Sequence, residues 1–301
     1  MIPDRLRVGG LAISLPPALA VTDAANLAVH IGPFAVADSG PPDVVVRSDL
    51  DPSADFPAGS FRIEVNRVLG GADGEGRSVK PYDLAFANGG IAVRGPLGDA
   101  ISVVSAIHLG LAHLLPRRGG LMLHASAVRA AGVGFVFPGA SGAGKTTAAE
   151  GFHGGEMLAD ERCIVRLEGA GTSTRERWML HSAPMWGGKY GPVVSAAVPP
   201  AAVVLVRKDA QLGVEVVPAA AAMTRLAPGV VQNRYDAAAA EAVLAVLAGL
   251  VAAVPVIEVS FRPGDRFADA LLRHVGAGGG GVSRRAAERA GASCGCGGGV
   301  R

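Results

Sequence analysis

The run Gly139-Ala140-Ser141-Gly142-Ala143-Gly144-Lys145-Thr146-Thr147 satisfies every fixed position of the pattern G-x-x-x-x-G-K-[ST]. Residue types at that spacing bind the phosphates of a nucleotide. Glycine permits backbone angles and close approaches that a β-carbon forbids, so successive N–H groups can converge on phosphate oxygens. Lys145 is placed to reach the β- and γ-phosphates, and the Thr146 hydroxyl to ligate Mg2+. The chain holds 43 glycines, 4 lysines and 22 serines plus threonines. At those frequencies the four fixed positions coincide somewhere by chance with a probability of roughly 0.6%, so a glycine-rich composition does not account for them. Phosphoryl chemistry also needs an acid to hold the metal or take a proton. Met157-Leu158-Ala159-Asp160-Glu161 supplies two, with Asp160 fifteen residues after Lys145, a spacing that fits one helix and a return turn at Gly154-Gly155. An acidic surface turn would look the same in isolation.

Such a loop must be carried by a strand and followed by a helix. Val133 to Phe137 is the apolar strand that enters it, and Lys145 to His153 is the helix predicted to leave it. From about residue 119 to 275 strands and helices alternate, which predicts an α/β domain with helix-covered strands. The strands are expected at 121–123, 133–137, 163–167, 178–181, 203–206, 214–217 and 256–261. The helices are expected at 145–153, 218–226, 237–253 and 266–274. Residues 1–118 show short apolar runs near Val44, Phe61, Leu84 and Ile91, punctuated by Gly, Pro and Asp, with a hairpin turn at Asn88-Gly89-Gly90. This strand-rich region ends in a helix over Ala100 to Leu115, closed by Pro116. Residues 276–301 form a glycine-rich tail whose composition predicts disorder. Its Cys294-Gly-Cys296 pair reads as part of that tail rather than as a metal or redox site.

Composition sets the outer limits. Half the residues are hydrophobic and 18% charged, which allows a real core and excludes wholesale disorder. A net charge of +2 gives no broad basic surface, so nucleic acid is not an expected partner. The longest apolar run, 242–257, is broken by Pro255 and falls short of a membrane span. No secretory signal is evident at the N-terminus, and Cys163 lies alone in an apolar segment. A cytoplasmic location with no membrane partner follows as the expectation.

The order of pieces is more specific than the loop alone. Leu123-His124-Ala125-Ser126-Ala127-Val128, a turn at Gly132, the strand to Phe137, the Gly139–Thr147 loop and Leu158-Ala159-Asp160-Glu161 follow one another in sequence. This resembles the catalytic domain of the HPr kinase/phosphorylase family and its HPr-kinase-related members, over residues 121 to 165. A looser likeness continues through His181-Ser182-Ala183-Pro184 and the closing strand and helix. The resemblance implies the fold shared with phosphoenolpyruvate carboxykinases, preceded here by the small strand-rich region. It implies ATP and Mg2+ as cofactors and transfer of the γ-phosphate to a serine or other hydroxyl on a protein, peptide or small molecule. Residues Gly139 to Thr147 would hold the phosphates. Thr146, Asp160 and Glu161 would hold the metal, Lys145 would act on the transferred group, and Asp160 would be the catalytic acid that accepts the hydroxyl proton. His124 matches the histidine beside that acid, and relatives often assemble as homo-oligomers.

The chain also departs from the family. Where HPr kinase/phosphorylases carry a Glu-Ile-Arg-Gly-Leu-Gly type stretch, this chain reads Arg166-Leu167-Glu168-Gly169-Ala170-Gly171, and the Arg-bearing C-terminal motif is missing. An acceptor other than HPr is therefore expected. A different class, an ATP-binding regulatory or assembly module without transfer chemistry, is distinguished by lack of turnover. Carboxykinase chemistry lacks its expected arginine and Mn2+-ligand cluster. Arg207, Lys208 and Lys189 are further phosphate-contact candidates, and His181 and Trp186 flank a turn that could line an acceptor site, although for all of these a packing or solvated role is the plainer reading.

Overall fold

Two β-sheets are built from fifteen strands among the described residues of this computed structural model, which are 1–278 without 18, 38–39, 50–55, 58, 70–75, 141, 170–175, 185–193, 209–210, 232–236 and 263–264. The chain begins with a tight hairpin, β1 (Arg5–Val8) and β2 (Leu11–Ser14), turned through Gly9 and Gly10. Then come α1 (Ala24–Ile31), β3 (Val44–Ser48), β4 (Phe61–Leu69), β5 (Gly76–Ala87), β6 (Gly90–Gly95) and α2 (Ala100–Leu114). The predicted turn joins β5 to β6, with Asn88 and Gly89 both at positive φ (52° and 77°) as that hairpin type requires. The first sheet has the order β1-β2-β3-β6-β5-β4.

α2 is apolar around its whole circumference, and twelve of its residues are buried. Asp99 caps it by accepting from the Ser102 N–H at 2.9 Å, and Lys80 in turn donates to Asp99 and to the Ser102 hydroxyl. The stretch Ala100–Arg118 has the length and hydropathy of a membrane span, yet 78% of that window is buried inside the fold.

The second sheet follows: β7 (Gly120–Ala130), β8 (Val133–Pro138), α3 (Lys145–Glu150), β9 (Glu156–Ala159), β10 (Arg162–Glu168), β11 (Arg177–His181), β12 (Ala197–Val198), β13 (Pro200–Lys208), β14 (Gly213–Val216), α4 (Ala219–Leu226), α5 (Ala237–Ala253), β15 (Val256–Phe261) and α6 (Phe267–Gly278). Its order is β12-β11-β10-β7-β8-β13-β15-β14, with β9 also pairing β7. The α/β class holds, but the expected regular alternation does not. Only β8, β13 and β15 run parallel; β7, β10, β11 and β14 join antiparallel. The turn between β7 and β8 is too short to carry the crossover that a parallel neighbour needs, and β9 and β10 follow one another in line along the other edge of β7, both antiparallel to it. The strand expected at 121–123 extends to Ala130, because it continues into the hairpin with β8. The helix expected to reach His153 stops at Glu150, followed by Gly151, and α6 continues through Gly278, three residues into the predicted tail. Residues 279–301, including Cys294 and Cys296, lie outside the described residues.

One hydrophobic core runs through both sheets, from Leu6, Ile13, Val44 and Val93 through Ile107 and Leu111 of α2 to Leu121, Leu123, Ile164, Leu180, Leu247 and Leu250. A smaller one lies beneath α3 and α6, where Phe135, Phe152, Phe261 and Phe267 meet.

Candidate functional site

β7 organises the site because it has three partners. Along one edge it pairs β10 over Gly120 to His124 and β9 over Ala127 to Arg129; along the other it pairs β8. The chain passes from β9 to β10 in just two residues, Asp160 and Glu161. The Ala125 N–H pins that passage by donating to the Glu161 carbonyl at 3.0 Å. Across the sheet, β8 delivers the chain into the glycine-rich loop, which turns back through Gly142 (φ 76°) and Gly144 (φ 91°) before α3 starts. Those angles favour glycine, since a β-carbon would clash with the following peptide. Asp160 and the start of α3 therefore meet over the middle of β7.

The contacts there are close. Thr146 Oγ1 donates to Asp160 Oδ1 at 2.6 Å. Ser126 Oγ, fully buried on β7, lies 3.3 Å from the same Oδ1, 3.2 Å from the Asp160 carbonyl and 3.5 Å from Thr146 Oγ1. Lys145 is buried and its Nζ donates to the Ala140 carbonyl at 2.9 Å, inside its own loop. Burial pulls the Lys145 ammonium below its ordinary pKa, opposed by Glu161 and Asp160. His124, two residues before Ser126 on the same face of β7, is held below the usual histidine value by burial first and then by Lys145 and Arg162, while Glu161 pulls the other way. His124 thus sits in one electrostatic neighbourhood with Lys145, Glu161 and Arg162. Glu161 itself is exposed.

Of the residues expected from the sequence, Lys145, Thr146 and Asp160 come together with the loop residues Gly139, Ala140, Gly142, Ala143 and Gly144, while His124 and Glu161 border them. Ser141 lies outside the described residues. Thr147 is exposed on the first turn of α3 and lines a cavity of about 610 Å3 that runs toward α6. Other candidates fall elsewhere. Arg207 is tied to Glu258 at 3.0 Å and to Ser260 at 2.9 Å on β15. His181 is buried 3.2 Å from Glu168 and lines a separate cavity of about 330 Å3 against the β1–β2 hairpin. Trp186 and Lys189 lie outside the described residues, as does the side chain of Lys208.

The sequence reading missed three polar residues. Ser126 shares a face with His124 by strand alternation, a sign already present in His124-Ala125-Ser126. Arg162 follows directly on Asp160-Glu161, and its Nη1 donates to Nδ1 of His108 at 2.6 Å. His108, on α2, donates through Nε2 to the Pro184 carbonyl at 2.8 Å. Burial, then the Arg162 charge, pushes the His108 imidazole down to about 3, so it stays neutral. Nothing in its sequence neighbourhood marks it.

Among the described residues no group of three or more His, Cys, Asp or Glu side chains forms a metal site. The clustered oxygens of Thr146, Asp160 and Ser126 are instead hard donors, the kind that suit Mg2+ when phosphate oxygens and water complete the shell. Compared with known proteins, the sequence matches no family model and no curated relative.

Proposed function

We propose that this protein is an ATP-dependent kinase of the HPr-kinase-related kind, which transfers the γ-phosphate to a serine or other hydroxyl acceptor. The observation that carries this reading is the 2.6 Å contact between Thr146 Oγ1 and Asp160 Oδ1. It joins the hydroxyl of a complete phosphate-loop motif to the acid read as its partner from a segment fourteen residues on. The antiparallel β7–β8 hairpin that leads into the loop supports the carboxykinase-type arrangement implied by the resemblance.

In this reading the loop amides and Lys145 hold the phosphates, with the Lys145 ammonium leaving the Ala140 carbonyl for the β- and γ-oxygens. Thr146 and Asp160, with Glu161 nearby, are the residues that would hold Mg2+, which offsets phosphate charge when bound. Asp160 receives the proton of the acceptor hydroxyl as that oxygen attacks phosphorus. Ser126, by donating to Asp160, fixes the direction of the carboxylate. His124, kept neutral by its surroundings, adds no further positive charge beside Lys145.

A silent ATP-binding regulatory module is favoured by one observation. In the stretch set against the family's Glu-Ile-Arg-Gly-Leu-Gly motif, Glu168 stands where the motif has its arginine, and the nearby Arg166 is spent on structure: it donates to the carbonyls of Gly9 and Arg118. Calorimetric titration with Mg·ATP, run beside mass-spectrometric detection of ADP and of phosphate transfer to a panel of hydroxyl acceptors, separates the readings. Binding with transfer is expected of the kinase. Binding without turnover would leave the module, and no binding would overturn both.

A further inference from the structure

Arg162 has a placement that the kinase chemistry described above does not use. β10 and β7 pair antiparallel with Arg162 opposite His124, so both side chains leave the sheet on one face. Strand alternation puts Ser126 on that same face, and Ser126 touches Asp160 and lies 3.5 Å from Thr146. Arg162 therefore emerges beside the loop, two residues from Asp160. Its anchor is unusual in kind. Its guanidinium is held by His108 Nδ1, and because His108 Nε2 donates to Pro184, only the neutral tautomer satisfies both bonds. A neutral acceptor fixes the fork of N–H donors without itself cancelling their charge, as a carboxylate anchor would; the acidic group that acts on Arg162 is the exposed Glu161. Lys145, by comparison, is a point charge bonded within its own loop.

We propose that Arg162 neutralises the charge that develops on the transferred phosphoryl group, and that His108, supplied by α2, is its positioning residue. This rests on the kinase reading. In the step concerned, the acceptor oxygen forms a bond to the γ-phosphorus while the bond from phosphorus to the bridging oxygen breaks. The electron pair departs with ADP and the hydroxyl proton passes to Asp160. Negative charge spreads over the three remaining oxygens of the transferred group, a planar target that suits a guanidinium fork.

The test compares the affinity of the full-length protein for Mg·ATP with its affinity for Mg·ADP plus aluminium fluoride, a mimic of the planar transferred group. For Arg162→Gln the expectation is Mg·ATP affinity within about threefold of wild type and a loss of about a hundredfold or more for the aluminium fluoride state, an effect of the scale arginines have in such reactions. Arg162→Lys, which keeps the charge and most of the buried stem, is expected to show the same selective loss and guards against misfolding of the Gln variant. His108→Leu should lose about tenfold for the mimic alone, and His108→Gln, which restores an acceptor and a donor, should recover most of it. Wild-type-like affinity of both Arg162 variants for the mimic would overturn the proposal, and so would an equal loss for Mg·ATP, which would make Arg162 a ground-state ligand. If wild type binds no Mg·ATP, the kinase reading itself falls and takes the proposal with it.

Discussion

The proposed reaction gives Asp160 and Lys145 different tasks, and their variants should separate. Asp160→Asn keeps a similar shape and an acceptor oxygen but cannot take the hydroxyl proton. We expect Mg·ATP still to bind in calorimetry, more weakly because a charged metal ligand is gone, and a loss of at least about a hundredfold in transfer rate. In the proposed reaction Lys145 would meet the β- and γ-phosphates, so loss of measurable Mg·ATP binding with an unchanged circular dichroism spectrum is the expected result for Lys145→Ala. That the glycine-rich loop and Asp160 would meet was legible, because residue types at that spacing are tied to phosphate chemistry. Ser126 was not, since a serine between alanines on an apolar strand reads equally well as a small core residue. Arg162 and His108 were illegible for another reason: their bond joins positions 54 apart in the chain, and only the register of β10 on β7 decides where Arg162 points.

Among the elements, α3 and α6 meet where Gly151 gives α6 room. A β-carbon on Gly151 would lie 2.4 Å from Phe267 Cε1, and Phe267 has little freedom because it stacks on Phe261 with ring centres 4.1 Å apart. Gly151→Ala should therefore cost about 1–3 kcal/mol through overpacking and lower the thermal midpoint by several degrees in scanning calorimetry. The strand, loop and helix that carry the glycine-rich motif were readable because apolar runs and glycine punctuation agree there. β1, β2, β9 and α1, of four to eight residues each, were not read from the sequence. The mixed direction of the second sheet was hidden in its connections: spacing shows that a turn is short, not which neighbour the next strand will choose.

At the scale of the whole molecule, the main core passes without a break from β1 and β2 through α2 to β7 and α5. Unfolding by heat is accordingly expected as one transition for both sheets, with calorimetric and van't Hoff enthalpies in agreement. Its acid limb should carry the mark of His108. A histidine whose folded pKa is pushed from 6.5 to about 3 contributes fully above pH 6.5, and its contribution shrinks as pH falls below that value, by up to about 1.4 kcal/mol per unit. His124 and His181, also held low, act in the same direction. His108→Gln should therefore flatten the decline in stability between pH 6.5 and about 4.5, above the range where carboxylates take up protons, as read by urea melts at each pH. No feature of residues 1–118 announced the bond of His108 to Arg162, because it depends on which core helix lies over which strand. Cys163 offers a different use of the same architecture. It stands opposite Leu123 in the middle of the second sheet, fully buried, with its thiol pushed up by burial to about 12. A thiol so shielded and so protonated reacts with an alkylating reagent only when β10 parts from β7. The rate at which the Cys163 peptide gains mass, distinguished from the peptides of Cys294 and Cys296, thus works as a clock internal to the protein, counting how often the sheet that carries Asp160 comes apart.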